Sequence, residues 1–410
     1  MAMTDLPPQA RLKSDLMFNG LRYTPSLGAA AEHAFPNWSP YRFQPGEANP
    51  TGRPTAPLPY LLRLADGTTL RVRGSGKSAW SVDGDKDGGY HLRHDDGRAL
   101  PVSFVPLPGW MRGATADGTP MAQCGVSMLG SMAVVNVAPG CQYFQADGPN
   151  GESRRCLFCT YGAPDMRSKT LGQDMDAVLL PAGTYAHMAE TLDTALNEGG
   201  IRTVYLVGGS MTDWSREADR FIDLADKVRA VVGDRATISC GSGALPDDKL
   251  KDLHARGTVD NVCFNLEVWS EPLFAKVCPG KQAFVGHDRW IASLETAVGL
   301  WGRGRVYSAM VAGVELEPEV GLTWEQAAET ALKGAEDLCS RGIIPVYSLY
   351  WPLGGKDHPD YLSNLMNLFE TLNAGYAAIR RRHGLHIWDG FLTHQAAYMQ
   401  LECDIDREVA

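Results

Sequence analysis

Three cysteines, Cys141, Cys156 and Cys159, are the residues of this chain whose type and spacing most directly offer chemistry, following the pattern Cys-x14-Cys-x2-Cys. Thiolates are the usual ligands of iron–sulfur clusters, and three of them hold a four-iron cluster while leaving one iron open to a small molecule. The same thiols could instead staple a loop around zinc, with Cys124 or His187 as fourth ligand. A zinc ribbon ordinarily shows two Cys-x2-Cys knuckles, and this chain has one. Within the long gap, Gly148-Pro149-Asn150-Gly151 predicts a tight turn that folds the segment back on itself. Closing so long a gap costs an entropy that grows only as (3/2)RT ln n, which metal–thiolate bonding overcomes.

From about residue 130 short apolar strands alternate with amphipathic stretches, as in βα units around a parallel sheet. The strands expected are 132–137, 203–207, 236–240, 261–266, 305–311 and 344–349, separated by helical patterns over 185–197, 217–231, 247–255, 289–301 and 324–341, with a last helix from Tyr361 to about Arg382. This predicts an α/β fold, a partial (β/α)6 TIM-like barrel over 121–360, followed by a C-terminal helix and tail over 361–410. Residues 1–120 are rich in Pro and Gly and carry short alternating runs punctuated by Asp66-Gly67, Asp83-Gly84 and Asp96-Gly97, which predicts a small β-rich N-terminal domain of hairpins. Gly74-Ser75-Gly76-Lys77-Ser78 resembles the end of a phosphate loop, but Arg71 stands where the first glycine belongs, so the segment reads as a solvated hairpin. The cysteines follow the first barrel strand, and barrel chemistry collects where strands end.

In that position the chain resembles the radical S-adenosylmethionine (radical SAM) superfamily, whose motif is Cys-x3-Cys-x-aromatic-Cys after the first barrel strand. Phe158 fills the aromatic place before Cys159, and the 14-residue first gap departs from the pattern. The resemblance implies a [4Fe-4S] cluster on Cys141, Cys156 and Cys159, with S-adenosyl-L-methionine as cofactor. Gly208-Gly209-Ser210 stands where the family carries a Gly-Gly-Glu-like turn, whose freed carbonyls would accept from the methionine ammonium. The segment through Asn265 and Glu267 looks like the Asn-Leu-Asp segment of the biotin synthase branch, which binds the ribose and methionine ends. The two residues are two apart and should share one side of a strand. Val311 and the backbone near Gly313 are the expected adenine contacts. An electron donor such as flavodoxin or ferredoxin is implied as partner.

The implied reaction is reductive cleavage of the cofactor to a 5′-deoxyadenosyl radical that acts on a small-molecule substrate by rearrangement, C–C or C–N cleavage, or oxidation. Candidate substrate contacts are Cys240, Tyr307 and Glu315, with Glu317, Tyr347 and Tyr350 beside them. Cys240 has no companions for an auxiliary cluster, Cys339 and Cys403 do not make a multi-cysteine extension, and no Asp-x-His-x-x-Gly cobalamin signature occurs. Cleavage to a 3-amino-3-carboxypropyl radical, a non-catalytic zinc-stapled binding protein, and a barrel hydrolase using Glu267 and Glu315 are the alternatives. Composition bounds the rest. With 410 residues, 44% hydrophobic and 21% charged, the chain can bury a large core, and a net charge of −10 with no basic run argues against nucleic acid or an anionic membrane as partner. Without a signal-like N-terminus or a long apolar segment the protein is expected in the cytoplasm, where nine cysteines would be thiols or metal ligands rather than disulfides.

Overall fold

The computed structural model describes residues 6–34, 58–138, 140–159, 182–350, 360–387 and 400–407. The chain forms two compact units, residues 1–109 with 394–410, and residues 110–393.

In the first unit, helices α1 (Pro8–Asn19) and α2 (Pro25–Ala30) precede a five-stranded antiparallel sheet of β1 (Leu61–Leu64), β2 (Thr69–Arg71), β3 (Trp80–Asp85), β4 (Gly89–His94) and β5 (Ala99–Phe104), in the order β2-β1-β5-β4-β3. Asp66-Gly67 and Asp96-Gly97 make hairpin turns as their sequence predicts, β1 to β2 and β4 to β5. Asp83-Gly84 does not: both residues pair with β4, and the turn falls at Lys86–Gly88. A side chain at Gly84 would meet the Gly89 carbonyl at 2.1 Å, which is why a glycine stands inside the strand. The Gly74–Ser78 segment is not a hairpin either, because β2 and β3 are not neighbours. It runs beside Leu21 and Arg22, and Ser78 is buried with its hydroxyl donating to the Gly20 carbonyl at 2.7 Å. The last described helix of this unit, Glu402–Arg407, is tied to α1 by a buried Lys13–Asp404 ion pair at 2.7 Å.

The second unit is built on a seven-stranded sheet. An antiparallel edge strand β6 (Val126–Leu129) precedes six parallel strands that neighbour one another in chain order: β7 (Met132–Ala138), β8 (Thr203–Gly208), β9 (Thr237–Gly241), β10 (Asn261–Cys263), β11 (Val306–Ala312) and β12 (Ile343–Leu349). Between them lie α3 (Ala182–Glu198), α4 (Trp214–Val232), α5 (Asp247–Arg256), α6 (Glu271–Val277), α7 (Pro279–Phe284), α8 (His287–Trp301) and α9 (Trp324–Ser340), and α10 (Tyr361–Arg382) follows. Helix signals in the sequence mark the boundaries: Asp213 caps α4 through its carboxylate, Gly257 ends α5 in the left-handed region, and Thr323 with Gln326 closes a capping box on α9. A mixed α/β unit with a parallel sheet is thus what the alternating rhythm forecast. The short helices α6 and α7, and the brevity of β10, were not foreseen. Three consecutive buried strand residues cannot show a period, and Pro279 at the start of α7 cuts one helical stretch into two.

Candidate metal and cofactor site

Strand β7 delivers the chain to Gly140 and Cys141, and the segment to Cys156 folds back on itself as its glycines predict. Gly148 and Glu152 close the turn (2.8 Å), Gly151 donates to the Gly148 carbonyl (2.9 Å), and Asp147 bridges Ser153. The loop is seated against the end of β8. Gln142 donates to the Ser210 carbonyl at 2.8 Å, its own side-chain oxygen accepts from the Thr212 backbone at 2.8 Å, and the Ser210 backbone hydrogen-bonds the Cys141 thiol. Gly209 allows this closeness, because a Cβ there would lie 2.1 Å from the Gly140 carbonyl and 2.7 Å from Cys141 Cα. Gly209→Ala should therefore cost about 1–3 kcal/mol of overpacking, relieved by pushing Cys141 away from the strand end. Iron taken up on reconstitution should fall while far-UV circular dichroism stays as in the wild type; full iron in the variant would contradict this account. Of the turn's carbonyls, that of Gly209 also accepts from Arg220 at 2.5 Å.

The floor beneath the loop is the α6–α7 junction. Leu157 donates to the Val277 carbonyl at 2.9 Å, and Tyr143 stacks on Phe284 with centroids 5.5 Å apart. Gly280 leaves room for the loop, since a Cβ there would meet the Arg154 carbonyl and the Tyr143 ring at 2.6 Å. Between these contacts Cys278, fully buried, hydrogen-bonds Cys156. Burial holds the Cys278 thiol well above its ordinary pKa, while that hydrogen bond lowers the Cys156 thiol, helped by Lys281. Cys141 is pushed up by burial.

Lys281 joins this floor to the segment after β10. Its ammonium donates to the Asn265 carbonyl (2.5 Å) and to Glu267 Oε1 (2.6 Å) and lies 4.7 Å from the centre of the Trp290 ring. Asn265 and Glu267 do not share a strand face in the simple way expected, because β10 ends at Cys263 and Glu267 has φ 73°, the left-handed region that disfavours a side chain. Glu267 still bonds β11 through its backbone, donating to the Ala309 carbonyl (2.9 Å) and accepting from Val311 (2.7 Å). The turned backbone brings the Glu267 carboxylate and the Asn265 carbonyl onto one ammonium. Burial raises the Glu267 carboxyl above its usual range, and Lys281 opposes that rise. A second buried carboxylate, Glu217 at the start of α4, is raised by burial too and accepts from the backbones of Met211 (2.8 Å) and Gly243 (2.9 Å).

Strand register sorts the remaining candidates. Val135, Leu206, Cys240, Val262 and Val306 occupy one row, and Val135 packs among Met188 and Leu192 of α3 and Leu224 and Val228 of α4. That row faces the helices, so Cys240 points toward them, as does Tyr347, whose hydroxyl donates to the Ala331 carbonyl of α9 at 2.9 Å. The opposite face carries Val207, Gly241, Cys263 and Tyr307. There Tyr205 hydrogen-bonds Cys263, whose sulfur lies 3.5 Å from Asn265 Oδ1. Burial pushes both the Cys240 and the Cys263 thiols up to about 12. Phe158 and Val311 are half-buried against the core, and Glu317 accepts from the Tyr350 hydroxyl at 2.7 Å. Lys281, Cys278, Cys263 and Glu217 were passed over in the sequence. In the sequence only Pro279, a helix-starting proline just before Gly280 and Lys281, marks the floor.

Glu315, in the turn after β11, is buried and accepts from the Gly313 backbone at 2.9 Å. Burial raises its carboxyl from 4.5 to about 7. Between those values the folded chain keeps a proton that the unfolded chain has lost. Stability from this group is therefore full below about pH 4.5 and falls by ~3 kcal/mol as pH rises through about 7. Urea unfolding across that window should show the loss in the wild type and a flatter profile in Glu315→Gln.

Among the described residues no three His, Cys, Asp or Glu side chains converge in a ready metal-ligating group. The donor chemistry near the loop is nonetheless that of thiolates, which suits iron–sulfur ligation. Neither fourth ligand of the zinc alternative turns toward the loop. Cys124 Sγ bonds the Pro120 carbonyl at 3.4 Å, and His187 Nε2 pairs with Asp117 at 2.7 Å.

The proteins to which the chain is similar in sequence or in solved structure include radical SAM enzymes. Its sequence is 24% identical over 261 residues to bacteriochlorophyllide c C-7(1)-hydroxylase of Chlorobaculum limnaeum, a span of 60% of this chain and 59% of the hydroxylase, so the chain matches about three fifths of that relative's length. Similar solved structures include a radical SAM methyltransferase from Sphaerobacter thermophilus (15% identity, 76% of each chain, TM-score 0.39) and methylornithine synthase (14% identity, 66% of this chain and 69% of that one, TM-score 0.42). No protein-family model matches the chain. Among the described residues no helix is long and apolar enough to cross a membrane.

Proposed function

We propose that the chain is a radical SAM enzyme in which Cys141, Cys156 and Cys159 hold a [4Fe-4S] cluster and the open iron takes S-adenosyl-L-methionine. The observation that carries this reading is the seating of the cysteine loop, at the end of the first parallel strand, on the α6–α7 junction, whose buried Lys281 holds Glu267 and Asn265 after the fourth. A cluster held there would supply the single electron for reductive cleavage of a carbon–sulfur bond of the cofactor. The protein's share is placement and exclusion of water. Lys281 holds the Glu267 carboxylate and fixes the backbone at Asn265, the two positions expected to meet the ribose and methionine ends. The Gly208–Ser210 turn carries the loop, with its Gly209 carbonyl held by Arg220 and its Ser210 carbonyl by Gln142, and is the segment expected beside the methionine ammonium. Val311 lies beside Glu267 for adenine, with Phe158 next to the last ligand.

The substrate is a small molecule, and of rearrangement, C–C or C–N cleavage and oxidation, the hydroxylase relative favours oxidation at a C–H bond. Tyr307, with Cys263 beside it, is the substrate-side position on β10 and β11, and Glu315 the carboxyl nearest the end of β11. Residues 121–360 are the catalytic barrel, and a flavodoxin- or ferredoxin-like donor supplies electrons. Chromatography and mass spectrometry of S-adenosylmethionine incubated with reconstituted, dithionite-reduced protein provide the test. 5′-Deoxyadenosine is expected. Methylthioadenosine would assign the 3-amino-3-carboxypropyl route instead, and an unchanged cofactor with a zinc-loaded, colourless protein would defeat the reading.

A further inference from the structure

Helix α4 sends two charged side chains from its first turns back beneath the end of the sheet. We propose that Glu217 is a positioning residue for the cofactor: its carboxylate ties the backbone after β8 to the backbone after β9 and so sets the Gly208–Ser210 turn against the methionine end of S-adenosylmethionine. The proposal rests on the reading of that turn as part of the cofactor site.

Local structure places the carboxylate there. Asp213 caps α4, its side chain accepting from the Ser215 and Arg216 backbones at 3.0 and 3.2 Å, which fixes where the helix begins. Glu217 stands one turn in, its backbone donating to the Asp213 carbonyl at 3.0 Å, and helical side chains lean toward the N-terminus. Its two oxygens therefore reach the strand ends and take one amide each: Oε2 accepts from Met211 at 2.8 Å and Oε1 from Gly243 at 2.9 Å. Arg220, three residues on and on the same helix face, donates to the Gly209 carbonyl at 2.5 Å. The turn is thus gripped by an acceptor on one side and a donor on the other, while Gln142 of the cysteine loop holds the Ser210 carbonyl at 2.8 Å.

The bridge begins where the ladder stops. Strands β8 and β9 pair as far as Val207 and Gly241, and just beyond that point Glu217 spans the two chains. Glu217 and Arg220 are both buried, so an amide deprived of its acceptor there carries its full desolvation cost. Gly243 records the closeness of the contact, because a Cβ in its place would lie 2.7 Å from Glu217 Oε1 and 3.4 Å from the Trp290 ring. Over that same ring, 4.7 Å from its centre, stands the Lys281 ammonium that holds Glu267 and Asn265. The carboxylate therefore locks the β8 turn to the packing that also supports the side of the site after β10.

The test is isothermal titration of S-adenosylmethionine into the reconstituted full-length chain as wild type, Glu217→Gln and Gly243→Ala. Iron content, urea unfolding and hydrogen exchange at Met211 and Gly243 are measured on the same proteins. Glutamine keeps the length and one acceptor but turns an amide donor toward the other N–H. The dissociation constant should rise about tenfold in Glu217→Gln, equivalent to about 1.4 kcal/mol, with iron unchanged and exchange faster at Met211 or Gly243. Gly243→Ala should weaken cofactor binding as well, although it stands on the other strand end, because its methyl displaces Oε1 and with it the hold on Met211. Combining the two changes should cost little more than either alone, since both act through one carboxylate. A purely structural role would lower the urea midpoint and leave the dissociation constant as in the wild type; that result in either folded variant overturns the proposal. Should Glu217→Gln not fold, Gly243→Ala decides by the same criterion. A wild type that assembles no cluster, or binds no S-adenosylmethionine, removes the cofactor reading and the proposal with it, an outcome distinct from a variant that binds as the wild type does.

Discussion

Cys156→Ala is expected to abolish the metal centre: iron after anaerobic reconstitution should drop from about four per chain to less than about one, and the broad absorbance near ~400 nm that dithionite bleaches should vanish with it. The effect is large because three thiolates are the minimum that holds a four-iron cluster with one iron open, and no fourth described thiol stands ready to substitute as ligand. Cys278 touches Cys156 but is the more strongly held as a neutral thiol. Cys141→Ala and Cys159→Ala should behave alike, with no product formed from S-adenosylmethionine in any of the three. Cys124→Ala separates the iron reading from a zinc staple. Its sulfur is engaged with the Pro120 carbonyl, so iron content should be unaffected. Iron that persists undiminished in Cys156→Ala would remove the loop from the metal centre altogether.

How much of this site could be read beforehand depended on whether the relevant information was local. The parallel strands and their helices were legible because each is a run of apolar residues with its own period and caps, and their ends fall within a few residues of those expected. The fold-back of the long cysteine gap was legible for the same reason, since Gly148 to Gly151 encode a turn without outside help. The shared face of Asn265 and Glu267 was not. Alternation presumes a continuing strand, and the chain leaves the strand after Cys263 and reaches Glu267 in a left-handed conformation that only its partners stabilise. The orientation of Cys240 likewise depends on which face of β9 meets the helices, and the almost wholly buried strand, apolar or small on both sides, carries no signal of it. Cys278 escaped notice because it lies more than a hundred residues from Cys156 in sequence, and thiols meet across such distances only through tertiary packing. Gly209 and Gly280 are the residues whose smallness records those meetings, each facing backbone of the cysteine loop closer than a side chain permits.

Lys281→Met should be the most destabilising single change at this site that leaves the cysteines intact, at about 3–5 kcal/mol, because it removes one partner of a buried ion pair and strands the other. Glu267 and Lys281 are each less than a tenth exposed at the side chain and 2.6 Å apart. The ammonium also satisfies the Asn265 carbonyl and faces the Trp290 ring, so methionine replaces its length but none of its three attachments. The decisive comparison is the double variant Lys281→Met with Glu267→Leu. Two buried charges replaced by apolar groups of similar size commonly leave stability near the starting value, so chemical unfolding should return most of what the single variant lost. Cofactor binding should not return with it, since Glu267 is the carboxylate assigned to S-adenosylmethionine. Isothermal titration of reconstituted double variant against the cofactor should therefore show weak or no binding to a well-folded, cluster-bearing protein. A double variant that stays as unstable as Lys281→Met would mean that the lost contacts to Asn265 and Trp290 matter more than the unpaired carboxylate. A stable one that binds the cofactor as tightly as the wild type would take Glu267 out of the binding site and leave the ion pair a structural link between the cysteine floor and the fourth strand.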